Sequence, residues 1–75
     1  MAFRLTKPLE QYAPYKKWRS IGIVHGVNLG YPPDTLRETA AFYDSYAEVA
    51  STTYQYATRK GLAEGLRLQA NEATK

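Results

Sequence analysis

The sequence predicts an all-α chain that has little hydrophobic core of its own. From residue 36 to residue 61, apolar and small residues recur in alternating steps of four and three, which indicates helix. Pro32 and Pro33 separate this stretch from an earlier apolar run, because consecutive prolines do not extend a helix. Tyrosine, whose hydroxyl favours a wet or hydrogen-bonded site, occurs seven times in 75 residues. We therefore expect helices that are stabilised mostly by neighbouring proteins.

Residues 1–13 are predicted to form a short basic arm in extended conformation. Pro8 and Pro14 interrupt the segment, and its apolar residues follow no sustained period. The alternative is an ordinary flexible terminus.

The first helix is predicted over residues 14–31. Pro14 suits its first position, because proline lacks the amide hydrogen that the start of a helix cannot use. The apolar run within it has only 11 residues, at positions 21–31, whereas a membrane span needs about 20. We therefore expect this helix to be membrane-associated or buried among other helices, and not to span a membrane alone.

Three glycines recur every fourth residue in this helix and share one face. Glycine costs a helix about 1 kcal/mol relative to alanine, so the spacing is poorly explained by helix stability. A strip without side chains lets another backbone approach closely. The alternative is a chance spacing or loop glycines. The predicted helix-packing residues are Gly22, Gly26 and Gly30.

Basic and aromatic side chains cluster at the start of the same helix. Such residues anchor helices at membrane surfaces, where long basic side chains reach for water and aromatic rings lie at headgroup level. Nucleic-acid grooves use a similar mixture. A domain-wide basic stripe is missing, so no nucleic-acid partner is expected. The predicted membrane-interface residues, with membrane lipid as their partner, are Lys16, Lys17, Trp18, Arg19 and Tyr31.

The second half of the chain is predicted to be one amphipathic helix, at 35–70, after a break at 32–34 and before a solvated tail at 71–75. Asp34, or Thr35 with a capping box, can start it. Roughly two-thirds of its circumference is small or aromatic, which is more than one short helix covers. The predicted partner-binding residues are Phe42, Tyr43, Tyr46, Tyr54 and Tyr56.

Residues that could support catalysis or bind a metal are not grouped. The chain has no cysteine, and His25 is its only histidine. Asp44 and Glu48 lie one turn apart on the polar side of the second helix, together with Arg59, and this is the ordinary place for exposed charges. We therefore predict no catalytic residue, no cofactor, no metal and no small-molecule substrate.

Two motifs within residues 37–61 resemble a known subunit family. Phe42-Tyr43-x-x-Tyr46 and Arg59-Lys60-Gly61 are similar to the C-terminal part of mitochondrial cytochrome c oxidase subunit VIc. In that family, a basic N-terminal segment precedes one membrane helix, and an amphipathic helix follows. The resemblance implies a non-catalytic accessory subunit of a mitochondrial inner-membrane respiratory complex, with larger subunits as partners and cytochrome c oxidase (complex IV) as the first choice.

The uneven distribution of charge along the chain predicts how the chain is oriented relative to the membrane. Residues 1–33 carry five basic residues and one acidic residue, whereas residues 34–75 carry five basic and six acidic residues. The positive-inside rule then places the N-terminus in the matrix and the second helix in the intermembrane space. Two alternatives stay open: an accessory subunit of another respiratory complex or of ATP synthase, and a soluble helical-hairpin module for protein interaction.

Overall fold

A computed structural model describes residues 5–74, and these residues form three α-helices and one short 3₁₀ turn, with no strand. The all-α prediction is confirmed. Of the predicted arm, residues 1–4 lie outside the described residues, as does residue 75 of the predicted tail. The elements are the 3₁₀ turn Leu9–Gln11, α1 at Ala13–Leu29, α2 at Pro33–Glu48 and α3 at Thr53–Ala73.

Prolines and a glycine set the ends of α1 and the start of α2. Pro14 lies in the first turn of α1, and Pro33 is the first residue of α2, after an extended Pro32. Gly30 ends α1 in the left-handed conformation, at φ +65°. Glycine adopts this conformation without the clash that a Cβ atom brings. Gly30 is therefore a helix cap and not part of the predicted packing face.

The prediction of a single helix over residues 35–70 is wrong, because the chain reverses direction between α2 and α3. The hydroxyl of Thr52 accepts a hydrogen bond from the Gln55 amide at 3.0 Å, and the Gln55 side chain accepts one from the Ser51 amide at 2.9 Å. This reciprocal pair resembles a capping box and satisfies amides that a helix start leaves unpaired. The third helix also continues through Ala73, into the predicted tail.

α3 is the central helix, and both other helices pack on it while making little contact with each other. α1 runs parallel to α3, since the start of α1 lies beside Gly61 and Gly26 lies beside Gln69. α2 runs antiparallel to α3, because Arg37 hydrogen-bonds Asn71, near the end of α3, and Asp44 contacts Lys60. The helices form a body with extents of 35 × 21 × 17 Å.

The hydrophobic core between α2 and α3 is small. Leu36 and Leu66 are the largest fully buried side chains. Three buried alanines complete the cluster, and Leu29 and Tyr43 pack against it while half-buried. The expectation of little core agrees with this cluster, in which three of the five buried residues are alanine.

No helix in the described part of the chain has the length and apolar character needed to cross a membrane. α1 has 17 residues and includes Lys16, Lys17 and Arg19.

Candidate docking surfaces

Three glycines bring α1 and α3 into backbone contact. A Cβ atom built on Gly22 would lie 2.7 Å from the Leu62 carbonyl oxygen, and one on Gly61 would lie 2.6 Å from the Tyr15 carbonyl oxygen. Gly65 faces Gly22 in the same contact. Such approach requires residues without side chains on both helices. The predicted helix-packing face is therefore covered, at Gly22 and Gly26, by α3 of the same chain.

The predicted glycine face packs less closely against α3 toward the C-terminal end of α1. A Cβ atom on Gly26 would lie 3.0 Å from Cγ of Gln69, which is part of a flexible side chain. A Cβ atom on Gly30 would meet nothing within 4 Å. The partner glycines, Gly61 and Gly65, repeat the same four-residue spacing, and this spacing was the signal that could have identified them.

Three large apolar side chains lie exposed along one flank of α2 and at Val49, the residue that caps its end. Phe42, Tyr46 and Val49 are 64%, 45% and 69% exposed. Their spacing of four and three residues places them on one side of the helix. The rings of Phe42 and Tyr46 stack, with centroids 6.2 Å apart. We call these three residues the α2 aromatic surface; Val49 was not among the predicted partner-binding residues, although its position seven residues after Phe42 indicates it.

Arg59 of α3 holds Tyr46 in place from two directions. The Arg59 guanidinium carbon lies 3.6 Å from the centre of the Tyr46 ring, close enough for a cation–π interaction. The same guanidinium donates a hydrogen bond of 2.9 Å to the Tyr46 carbonyl, near the negative end of the α2 dipole. Arg59, predicted on the polar side of a single helix, therefore connects α2 to α3.

The other predicted partner-binding aromatics lie elsewhere. Tyr43 is half-buried against the small core. Tyr54 is 59% exposed in the first turn of α3, and Tyr56 is half-buried in the same turn. Of the five predicted residues, the structure brings Phe42 and Tyr46 together on one exposed flank.

Asp44 joins the middle of α2 to α3 through two cations. Its carboxylate accepts a hydrogen bond of 3.0 Å from the Lys60 ammonium and another from the Arg67 guanidinium. Partial burial raises the pKa of Asp44, but the bonds from Arg67 and Lys60 outweigh it and hold that pKa below its ordinary value. Asp44 was expected to be exposed on a polar side; the fold places it in this ion-pair cluster instead.

Four of the predicted membrane-interface residues divide between two faces of α1, and the fifth, Tyr31, is exposed in the loop after Gly30. Lys16 and Lys17 are exposed. Trp18 is half-buried with its indole nitrogen hidden, and its Cβ atom lies 3.2 Å from where a Cβ on Gly61 would stand. Trp18 therefore packs against α3, because the glycine on that helix leaves room for its side chain.

Arg19 and Tyr15 also lie toward α3. Arg19 is half-buried, and its guanidinium carbon lies 5.4 Å from the centre of the Tyr15 ring. Tyr15 is 6% exposed. Burial, together with the negative charge of Glu64, raises the pKa of the Tyr15 hydroxyl. Both residues support the α1–α3 contact.

His25 lies half-buried on α1, in a shallow groove that Ser20, Val24 and Asn28 also line. Within residues 5–74, no group of three or more histidine, cysteine, aspartate or glutamate residues is placed to hold a metal ion. The described surfaces are thus of a kind that can bind another macromolecule or a lipid surface.

Comparisons of the chain with models of protein families, with curated proteins and with solved structures found no match. Its function must therefore be inferred from the surfaces of the three helices themselves.

Proposed function

We propose that this chain is a small, non-catalytic subunit that docks on a larger protein through the α2 aromatic surface. The observation that carries the proposal is the exposure of Phe42, Tyr46 and Val49 on one flank of α2. Exposed apolar side chains that lie together mark interaction sites, and aromatic residues are enriched among the residues that dominate binding.

The spacing of the surface suits a groove on the partner. Anchors at positions i, i+4 and i+7 are the pattern by which an amphipathic helix lies in a hydrophobic groove. Fully burying a phenylalanine or a valine contributes about 1.5–3 kcal/mol. Tyr46 is already held by Arg59, and such pre-organisation saves the ordering cost of about 0.5–1.5 kcal/mol that a mobile side chain adds.

The more specific form of the proposal is an accessory subunit of a mitochondrial inner-membrane respiratory complex, with cytochrome c oxidase first. Its support is the resemblance at Phe42-Tyr43-x-x-Tyr46, of which Phe42 and Tyr46 are the exposed members. A stand-alone interaction module is the second candidate. It is favoured by the glycine faces of α1 and α3, which pair within one chain.

A photo-crosslinker tests the docking surface in the cells that make the protein. Benzoylphenylalanine in place of Phe42 should crosslink to a larger protein, whereas the same group in place of Leu68, exposed on α3, should not give that product. Phe42→Ser combined with Val49→Ser should lose the co-purifying partner, and the control Leu68→Ser should retain it. An unchanged set of co-purifying proteins in the double variant would contradict the proposal.

The identity of the crosslinked protein distinguishes the two candidates. A respiratory-complex subunit supports the specific form, and any other protein supports the stand-alone module.

A further inference from the structure

The side of α1 that faces away from α3 forms a second surface, separate from the α2 aromatic surface. Gly22 and Gly26 define the side that contacts α3. At 3.6 residues per turn, the exposed residues of α1 from position 16 onward fall on the opposite side. We call them the α1 outer face: Lys16, Lys17, Ser20, Val24, Val27 and Asn28.

The α1 outer face carries positive charge that the described residues do not neutralise. α1 contains no acidic residue, and within residues 5–74 neither Lys16 nor Lys17 forms an ion pair. The cations of α2 and α3 are engaged by other described residues: Arg37, Lys60 and Arg67 each contact a carboxylate, and Arg59 contacts the carbonyl and the ring of Tyr46. Among residues 5–74, Lys16 and Lys17 have no such side-chain contact and carry exposed positive charge.

From this arrangement we infer that the α1 outer face binds the surface of a bilayer that contains anionic lipid. The two lysines lie at the two edges of the face in the helical projection, and Val24 and Val27, 58% and 57% exposed, lie between them. Lysine stems lie along apolar surface while their ammonium groups reach outward. The valines then enter the headgroup–acyl boundary as the lysines contact lipid phosphates.

The apolar part of the face favours a lipid surface over a nucleic acid. A nucleic-acid backbone offers phosphates to Lys16 and Lys17, but it offers no apolar surface to Val24 and Val27. Two valines are a small apolar contact, so binding is reversible and depends on the lysines. It is also weakened by salt, because added ions screen exposed charges.

Flotation of the full chain with vesicles tests this inference. The chain should bind vesicles of phosphatidylcholine with phosphatidylserine at low salt, and it should bind phosphatidylcholine vesicles much more weakly. Lys16→Gln combined with Lys17→Gln should lower the partition coefficient at least about tenfold, since each basic residue near an anionic surface adds to the attraction. Val24→Ser combined with Val27→Ser should also lower it, because the apolar contact is lost.

Matched variants separate the effect of positive charge on the α1 outer face from the effect of positive charge elsewhere on the protein. Lys16→Arg combined with Lys17→Arg keeps the charge and should keep binding, and Arg37→Gln removes a cation from α2 and should leave binding within about twofold. Circular dichroism confirms that each variant is folded. Absence of flotation with anionic vesicles, equal binding by the lysine-to-glutamine variant, or tighter binding to duplex DNA than to the vesicles would each overturn the inference.

Discussion

Gly22 and Gly65 meet backbone to backbone, and a Cβ atom on Gly65 would lie 2.7 Å from the Cα atom of Gly22. The two helices are therefore as close as their main chains allow. Individual dispersion contacts contribute only about 0.1–0.2 kcal/mol each, and they fall off steeply when a gap of even about 0.5–1 Å opens. The stability of the α1–α3 contact thus depends on the absence of two side chains more than on the presence of any large one.

The first prediction is that Gly65→Ala destabilises the protein although alanine favours helix. Removing a mid-helix glycine contributes about 1 kcal/mol, whereas forcing a methyl group against the backbone of α1 costs about 1–3 kcal/mol or more. The backbone of Arg19 and Gly22 is not free to move aside in the way that a flexible side chain is. Urea denaturation should show a lower unfolding midpoint.

Gly26→Ala is the matched control for that variant. Its methyl group would lie 3.0 Å from Cγ of Gln69, which can rotate away, and 3.1 Å from Cβ, which needs only a small shift of the helix. That cost offsets the gain of about 1 kcal/mol from replacing a mid-helix glycine, so the variant should be close to neutral and much less destabilised than Gly65→Ala. If both alanine variants shift the midpoint equally, the close backbone approach is not what limits the size of residue 65.

The second prediction concerns the start of α3. Thr52→Ala removes the hydroxyl that accepts the Gln55 amide hydrogen at 3.0 Å, and loss of such a cap costs about 0.5–2 kcal/mol. Ser51→Ala is the control, because Ser51 contributes its backbone amide to the Gln55 side chain and keeps it. Thermal melts should separate the two variants; equal melting temperatures would contradict the capping role.

The third prediction is that Asp44 makes stability fall in acid. Its pKa is lower in the folded protein than in the unfolded chain. The stabilisation is therefore present above the ordinary aspartate pKa of about 4, and it is lost as the pH falls through the lower folded pKa. Urea midpoints measured between neutral pH and strongly acidic pH should show this loss.

The variant Asp44→Asn tests whether Asp44 is the group that makes stability fall in acid. The variant should be less stable by about 1–2 kcal/mol at neutral pH, since hydrogen bonds to charged partners are lost at a partly buried site. Its stability should depend less on pH in the acidic range than that of the parent. An unchanged pH profile would show that another carboxylate carries the effect.

The fourth prediction is an energetic coupling between Arg59 and the Tyr46 ring. In a double-mutant cycle with Arg59→Gln and Tyr46→Leu, the coupling should be about 0.5–1 kcal/mol, as for an exposed cation–π pair. The hydrogen bond from Arg59 goes to the Tyr46 carbonyl, so Tyr46→Leu keeps it and the cycle measures the ring contact alone. Additive effects of the two variants on the unfolding free energy would exclude that contact.

The break between α1 and α2 at the two prolines could be predicted from the sequence, whereas the turn between α2 and α3 could not. Pro14 and Pro33 act locally, and the structure places both in the first turns of helices. The apolar residues on either side of Thr52 continue the periodic pattern of the preceding helix. The pattern therefore predicts one uninterrupted helix through this region. The opposing sequence signal is Thr52-x-x-Gln55, which is typical of the start of a helix. Its capping hydrogen bonds begin a new helix here, although the apolar residues of both helices follow one continuous period.

That missed turn also explains which site residues were misplaced. On one long helix, Asp44 and Arg59 lie on an exposed polar side; with the chain folded back, both reach across the α2–α3 contact. The exposure of Phe42 on α2 does not depend on the course of the chain after that helix, whereas the ring of Tyr46 is partly covered by Arg59 of α3. Trp18 could not be placed, because its burial depends on Gly61, a residue far away in sequence.

The parallel course of α1 and α3 also determines where the chain enters and leaves the three-helix body. The start of α1 lies beside Gly61, toward the beginning of α3, while Gly26 lies beside Gln69, toward its end. Because the chain crosses the body three times, it enters α1 at one end of a body 35 Å long and leaves α3 at the other end. The start of α1 at Ala13 and the end of α3 at Ala73 are therefore separated by roughly the whole length of α3.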